Sequence, residues 1–351
     1  MTTITRRFRR TAATAVALAA GCSLGLTGTA SAHGKPAAGS TVTSAQLTAG
    51  LYQSSYSERN HVLWATAAVG RPPVTNSSLL KVDPGTLKVK ATYTPPVTDA
   101  ATGAVEAVYG VAVDDEHNTV WTTNTRNNSV SVYSQRDGKH LASLPNVAHA
   151  REIVVDERHN TVWASGFGDG TLVAFDSRTF KEKKRVTVTG SQPTGLALNE
   201  RTGTVYAADL GGDRVVEVSP YAKEPRLIPA GDGPISVALS ADGRTAYTAD
   251  QTAGTLSVID VRKGAVTKTV PTGAGALSVA VDPRSGKVLV ANRTAGNVTL
   301  VDPRKGAVVE TLATGANPNH VTVSRGTAYV VDKSAVGAER QDQAHRISIG
   351  R

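Results

Sequence analysis

The chain carries the sequence SVAVDPRSGKVLVANRTAGNVTLVD at residues Ser278 to Asp302. It contains three runs rich in valine and leucine, Val279–Asp282, Lys287–Asn292 and Asn297–Asp302, separated by turns with Pro, Gly and Asn. Short apolar runs bounded by such turn formers are typical of β-strands in hairpins. A fourth run, Val308–Ala313, follows. The stretch therefore predicts one four-stranded antiparallel sheet.

The same unit recurs along the chain. The residue that ends the first strand of the unit returns at intervals of 41 to 43 residues, and the second strands keep this spacing. Four strands in about 40–45 residues is the period of a β-propeller blade. The residues that end the first strands are Asp114, Asp156, Asn199, Ser240, Asp282 and Ser324.

A divergent unit precedes these six, with strands that begin near Val62, Ser78 and Leu87. The count is therefore seven. The composition agrees, because 33 Gly, 16 Pro and only 5% aromatic residues favour an all-β repeat protein. We predict an all-β fold, a seven-bladed β-propeller with four-stranded antiparallel blades, in residues 41–351.

The last unit lacks one strand. Lys333 to His345 is polar and is predicted as a loop, and only Arg346 to Ile349 reads as a further strand. The segment Thr41 to Leu47 has enough β-branched character to supply the fourth. The ring is thus predicted to be closed by an N-terminal strand that joins the last blade.

Residues 1–32 have the layout of an export signal peptide. A basic segment, Arg6 to Arg10, is followed by an apolar segment and by the small-residue site Ala30–Ala32. Residues 33–40 form a flexible leader by composition. The expected location is secreted or at the cell envelope. The net charge is +9, and it is +5 without the four arginines of the signal, which permits an anionic partner without requiring one.

Cys22 is the only cysteine of the chain. The preceding Ala19, Ala20 and Gly21 resemble a lipoprotein cleavage box, although Ala19 stands where leucine is usual. Lipid anchoring at Cys22 is therefore an alternative to cleavage after Ala32. Cleavage after Ala32 would leave a mature chain without a thiol, held together by its core alone.

The second strands carry a family resemblance. TVWTTN at 119 and KVLVAN at 287 resemble the YVTN-repeat family of β-propellers. Residues 50–67, GLYQSSYSERNHVLWATA, and the stretch REIVVDERHNTVWASG from Arg151 are similar to YncE-type propellers. The resemblance covers about residues 50–349. The resemblance implies an exported seven-bladed propeller without an established enzymatic activity. It also implies a role in binding single-stranded DNA. It assigns no site residue.

The candidate site is the channel mouth, the face where the segments leading into the inner strands meet the turns between second and third strands. Most residues there are small or neutral, whereas a few ionisable residues break the repeat. They predict a pocket for an anion or a polar ligand. The alternative is an Arg–Glu pair that stabilises its own blade and a histidine bonded to the neighbouring backbone. The candidate residues are Tyr109, Arg151, Glu152, Asn319 and His320.

Asn and Asp recur where the second strands end, and a ring of carboxylates could hold a cation. Recurrence in nearly every blade instead favours a role in the fold, because Asn and Asp close turns by accepting bonds from nearby backbone. The residues are Asn124, Asp209, Asp250, Asn292 and Asp332.

A basic cluster, Lys181, Lys183, Lys184 and Arg185, falls on an outer strand. It suggests single-stranded nucleic acid, although charged edge strands also prevent edge-to-edge association. The mature chain shows no nucleophile elbow, Walker loop or zinc motif.

We therefore predict a non-enzymatic, monomeric propeller that binds an unknown envelope or extracellular partner, with no catalytic residue, cofactor or metal. The alternatives are a single-stranded DNA-binding propeller, and a propeller lactonase or quinone-dependent dehydrogenase. Glu152 is the one clear acidic candidate for a metal ligand at the mouth.

Overall fold

The computed structural model describes residues 39–336 and 339–350. In this part of the chain, seven four-stranded antiparallel sheets surround a central channel, which confirms the seven-bladed β-propeller. The helical elements in these ranges are two short 3-10 turns, Thr125–Asn127 and Glu157–His159. None of the described helices is long and apolar enough to span a membrane. The predicted signal and most of the leader lie outside the described residues.

The first strand, β1 (Thr41–Gln46), lies in the last sheet, and the next four strands form blade 1. A short hairpin separates blade 1 from blade 2. The strands of blade 1, the hairpin and blade 2 are β2 (Leu51–Ser57), β3 (Val62–Val69), β4 (Asn76–Val82), β5 (Val89–Tyr93), β6 (Val97–Asp99), β7 (Ala104–Val105), β8 (Val111–Asp114), β9 (Thr119–Asn124), β10 (Ser129–Ser134) and β11 (His140–Pro145).

Blades 3 to 5 repeat the pattern without insertions, with the inner strand first. Their strands are β12 (Ala150–Asp156), β13 (Thr161–Gly166), β14 (Thr171–Asp176), β15 (Glu182–Thr187), β16 (Pro193–Asn199), β17 (Thr204–Asp209), β18 (Arg214–Val218), β19 (Arg226–Pro229), β20 (Pro234–Leu239), β21 (Thr245–Asp250), β22 (Thr255–Asp260) and β23 (Ala265–Pro271).

Blade 6 contains the stretch from Ser278 to Asp302, and blade 7 closes the ring. The predicted loop at 333–345 is wrong, because the third and second strands of blade 7 extend into it and pair with each other. Asp342 and His345 are buried, so the polar pattern conceals an ordered strand. The strands are β24 (Ala276–Val281), β25 (Val288–Asn292), β26 (Asn297–Asp302), β27 (Ala307–Ala313), β28 (Pro318–Ser324), β29 (Thr327–Val336) and β30 (Gln341–Ser348).

Ring closure by the N-terminal strand is confirmed. β1 pairs with β30 in antiparallel register, from Thr41 opposite Ser348 to Gln46 opposite Gln343. The residue before β1 adds to the closure, since Ser40 Oγ donates to Glu310 Oε2 at 2.6 Å. Both ends of the described chain therefore meet in one sheet.

The core lies between blades. Every residue of β9 and of β13 is buried, because both faces of these second strands are covered by neighbouring blades. One cluster joins Trp121 of blade 2 to Ile153 and Phe175 of blade 3, and similar clusters fill other blade junctions. The outer strands alternate between exposed and half-buried residues, as β27 shows. The successive apolar residues of the sequence thus reflect burial on both faces.

The recurring Asn and Asp residues support the fold, but they bond to side-chain hydroxyls and to distant backbone N–H groups rather than to the nearby backbone of a turn. Asp250 is fully buried and accepts bonds from the hydroxyls of Thr248, Thr255 and Ser257. Burial raises the pKa of Asp250. In blade 4, Asp209 accepts from the backbone N–H of Gln192 at 2.7 Å. These side chains therefore join the second strand to the third strand or to the segment that leads into the inner strand.

Candidate functional site at the channel mouth

Four of the five predicted residues line one cavity of about 290 Å³ at the channel mouth: Arg151, Glu152, Asn319 and His320. Tyr109 does not line it. Its side chain is 8% exposed and packs edge-on against Tyr52, with the ring centroids 4.6 Å apart. Tyr109 therefore supports the wall behind the cavity rather than its surface.

Arg151 and Glu152 reach the same cavity because β12 is irregular there. The pairing of β12 with β13 shifts register between Ala150 and Ile153. A bulge re-aims side chains that would otherwise point to opposite faces of a strand. No ion pair joins Arg151 to Glu152 in the described residues, so the Arg–Glu interpretation is wrong.

Arg151 is held by an aromatic ring. Its guanidinium lies 5.3 Å from the centroid of the Phe167 ring, and its backbone carbonyl accepts a bond from Thr123 Oγ1 at 2.9 Å. Stacking on a ring orders the guanidinium without using its N–H donors. Arg151 therefore keeps its charge and its donors available to the cavity.

Glu152 is held by uncharged groups. Its Oε2 accepts from Gln53 Nε2 at 2.9 Å, and its Oε1 accepts from the backbone N–H of Ile153 at 3.3 Å. Burial among the walls of the channel raises the pKa of Glu152 to about 7, and these two bonds and the charge of Arg151 offset the effect only in part. The carboxyl group is thus partly protonated at neutral pH.

The Glu152→Gln variant should be more stable than the wild type at pH 8 and equally stable at pH 4. The folded-state pKa lies above the ordinary value of 4.5, so wild-type stability is lost as the pH rises from about 4.5 through 7. Glutamine keeps the bond to Gln53 and cannot ionise. Because channel water screens the carboxylate, we expect a gain of roughly 1–2 kcal/mol in urea unfolding at pH 8.

The exposed Glu224→Gln provides the matched control, since it makes the same change away from the channel. Its stability should follow that of the wild type at both pH values. An equal gain for Glu152→Gln at pH 4 and pH 8 would show that ionisation of Glu152 is not the cause.

His320 and Asn319 are bonded to the backbone of blade 1. The N–H of Ser54 donates to His320 Nδ1 at 3.4 Å, and Asn319 Nδ2 donates to the carbonyl of Tyr52 at 2.6 Å. Burial lowers the pKa of His320 to about 4, so its ring is neutral at pH 7. The histidine thus bonds to neighbouring backbone, as the alternative interpretation required, while it also lines the cavity.

The structure adds Arg293, a residue that the sequence analysis did not select. Arg293 lines the same cavity, and its Nη1 donates to Asn319 Oδ1 at 2.7 Å. Lys333 lies nearby, with Nζ 4.8 Å from the centroid of the Tyr52 ring. Burial lowers the pKa of Lys333.

A signal for Arg293 and Lys333 exists in the repeat. Each directly follows one of the recurring Asn or Asp residues that end the second strands, Asn292 or Asp332. Other blades have uncharged residues at this position, so two cations there break the pattern as clearly as Arg151 does. The uncharged residues are Thr125, Phe167, Leu210 and Gln251.

The charges of the cavity are unbalanced. Arg151 and Arg293 are its permanent cations and Glu152 is its only carboxyl group. In the described residues neither arginine forms an ion pair within 4.0 Å. Two unpaired guanidinium groups in one concave site are suited to bind an anion.

The opposite end of the channel differs in chemistry. A larger cavity of about 660 Å³ opens there, and its charged side chains Arg158, Glu200, Arg201 and Asp242 are exposed and of both signs. Exposed charges of mixed sign are well solvated, which makes them a weaker indication of a ligand than the half-buried arginines of the mouth. The channel mouth is therefore the candidate site.

Known proteins share this fold. The YncE proteins of Escherichia coli O157:H7 and Salmonella typhi are each 26% identical to this chain over 233 residues, which span 62% of this chain and 64% of theirs. Virginiamycin B lyase from Staphylococcus aureus superimposes with a TM-score of 0.68, covering 88% of this chain and 99% of that one at 13% identity. The latter likeness shows the fold alone.

The family assignment is more direct. The YncE-like β-propeller family matches residues 81–328, which is more than half of the chain and extends from blade 1 into blade 7. The seven blades and the closing strand agree with this match. The chain belongs to the YncE-like β-propeller family.

Proposed function

We propose that this chain is an exported, non-enzymatic propeller that binds an anionic group of a ligand or partner protein at the cell envelope through its channel mouth. The observation that carries the proposal is the presence of Arg151 and Arg293 in one cavity without a carboxylate partner in the described part of the chain. The signal-like pattern of residues 1–32 supports export.

The two guanidinium groups are ordered before a ligand arrives. Arg151 lies over Phe167, and Arg293 is bonded to Asn319, which is itself bonded to the backbone of blade 1. A guanidinium fork matches carboxylate and phosphate oxygens, and less freedom is lost on binding when the fork is already held. The volume of about 290 Å³ lies at the lower limit for small-molecule sites, so it suits a small ligand or one end-group of a larger partner.

Arg151→Gln and Arg293→Gln should each weaken the binding of small anions. We expect at least a tenfold rise in Kd for citrate and inorganic phosphate by isothermal titration calorimetry, because a hydrogen bond to a charged group contributes about 1.5–3 kcal/mol. Arg304→Gln is the matched control, since Arg304 is exposed in a turn on the other face and its removal changes the net charge equally.

Equal weakening by all three variants would mean that net charge rather than the cavity attracts the anion, and no anion binding by the wild type would contradict the proposal. Capture of a partner from envelope extract, compared between the wild type and the Arg151→Gln/Arg293→Gln double variant, would then identify the physiological ligand.

Single-stranded DNA binding is the first alternative. The basic cluster of blade 3 is partly engaged within the protein, as Lys183 donates to the carbonyls of His159 and Asn160 and Arg185 pairs with Glu182. DNA held by its backbone would be released steeply by salt. A strong inverse dependence of oligonucleotide binding on salt would favour this alternative over the anion site.

An enzymatic role is the second alternative. Virginiamycin B lyase, which has a similar fold, is named as an enzyme. A metal-assisted reaction would need several ligands beside Glu152. The described residues hold no group of three or more His, Cys, Asp or Glu able to bind a metal ion. A stoichiometric metal in the purified protein, or the absorbance of a bound quinone, would favour the enzyme.

A further inference from the structure

One carboxyl group lies within the cationic cavity of the channel mouth. Glu152 lines the cavity together with Arg151 and Arg293, and none of the described ion pairs includes it. Its bonds come from an amide and a backbone N–H, one to each oxygen. A carboxylate has about four acceptor positions, so each oxygen can accept one more donor. The cavity therefore presents two cations and one carboxyl group that can accept hydrogen bonds from a cationic group.

The wall of the channel also contains a buried hydroxyl. Ser54 is 1% exposed, and its Oγ has no hydrogen-bond partner among the described residues. Ser54 and Glu152 line the next section of the channel, a cavity of about 350 Å³ that continues inward from the mouth. Because Ser54 Oγ is closed to the cavity, Glu152 is the acceptor that the mouth presents to a ligand.

We propose that the channel mouth binds a zwitterion, an amino acid or a short peptide, whose carboxylate contacts Arg151 and Arg293 and whose ammonium group donates to Glu152. This inference rests on the proposed function, because the carboxylate uses the same two arginines. It adds the second half of the ligand and hence its chemical class.

The charges of such a ligand match those of the site. A simple anion would leave Glu152 without a cation, and its negative charge would repel the ionised carboxylate. An ammonium group has three donors, enough for both oxygens of Glu152 and for one further acceptor. A site that carries charges of both signs binds a zwitterion more tightly than it binds simple anions or simple amines, because only the zwitterion satisfies both.

Binding should change the protonation of Glu152. The groups that face it are Arg151 on its own strand, Gln53 of blade 1, His320 of blade 7 and Arg293 of blade 6. Burial raises the pKa of Glu152 to about 7 and lowers the pKa of His320 to about 4. An ammonium partner stabilises the carboxylate, so a zwitterion that binds at pH 7 should release protons. A simple anion should release none, and by favouring the neutral carboxyl group it should promote proton uptake.

The test compares two ligands with their N-acetylated counterparts, alanine with N-acetylalanine and alanyl-alanine with N-acetylalanyl-alanine. Acetylation removes the ammonium charge and keeps the carboxylate. We expect the free amine form of at least one pair to bind at least tenfold more tightly in calorimetry. Glu152→Gln should remove this preference without weakening the acetylated compound, while Glu224→Gln should leave it unchanged. Titration in imidazole and in Bis-Tris, neither of which is anionic, measures the proton release.

The two failures can be told apart. If citrate and phosphate bind through the two arginines but neither amine compound binds more tightly than its acetylated form, the zwitterion inference is overturned and the anion site stands. The inference is also overturned if the preference survives Glu152→Gln. If the wild type binds neither the acetylated carboxylates nor the inorganic anions, the proposed function itself has failed.

Discussion

A chain that begins at residue 48, and so lacks β1, is expected to unfold at a much lower urea concentration than one that begins at residue 39. β1 supplies the outer strand of blade 7 through six paired positions with β30. It also carries Ala45, which with Leu47 packs against the core between blades 7 and 1. At a net of about 1 kcal/mol for each backbone hydrogen bond, the free energy of unfolding should fall by roughly 3–6 kcal/mol.

The loss would not be confined to blade 7. Without β1 the edge of β30 is open to solvent, and Ser44 Oγ no longer bonds to His345 Nδ1, at 2.7 Å in the intact sheet. An open edge also invites association with other chains. We therefore expect a lower midpoint by circular dichroism together with oligomers in size-exclusion chromatography. Equal midpoints for the two chains would show that the propeller does not depend on its closing strand.

Trp121→Ala is expected to have the second large effect. Trp121 is 0% exposed and packs between blades 2 and 3, with its ring centroid 6.4 Å from that of Phe175 and 5.5 Å from that of Phe180. Its Nε1 donates to Thr119 Oγ1 at 3.0 Å, so its polar atom is also satisfied. Replacing a buried tryptophan with alanine leaves a cavity and costs about 3–5 kcal/mol.

Urea unfolding followed by circular dichroism is the suitable measurement, because the substitution removes one of the fluorescent side chains. Tyr221→Ala is the control, since Tyr221 is 86% exposed, and surface substitutions change stability by only about 0.5 kcal/mol. If Trp121→Ala lowers the free energy of unfolding by less than about 1 kcal/mol, the side chains between blades 2 and 3 are packed much less tightly than the contacts of Trp121 indicate.

The number of blades could be predicted from the sequence because the strands that pair within a blade are close together in the chain. A hairpin such as β25 to β26 needs only its own apolar residues and the turn at Arg293–Gly296. A repeat in the sequence therefore indicates a repeat in the structure. The same reasoning failed at 333–345. Polar residues there suggested a loop, but Asp342 accepts bonds from the N–H groups of Gly50 and Leu51 in blade 1. Such partners lie at the other end of the chain and leave no local pattern.

The candidate site could be predicted in part because the repeat is regular enough for exceptions to be recognised. Arg151, Glu152 and His320 break the repeat, and a residue that the blade does not require is a reasonable candidate for function. Arg293 follows the same rule, but it lies directly after a second strand, outside the segments that lead into inner strands. The position of Tyr109 in the repeat predicts a site residue, but its ring is buried against Tyr52.

The sequence alone predicts most of the strands, the seven blades, the closing strand and the face on which ionisable residues gather, because short-range hydrogen bonding and burial repeat along the chain. Only the tertiary structure decided which of those residues meet. Gln53 of blade 1 bonds to Glu152 of blade 3, 99 positions away, and Arg293 of blade 6 bonds to Asn319 of blade 7. Closing the ring brings the inner strands together around one axis, and the distances between their side chains depend on blade packing and rotamers that no repeat period encodes.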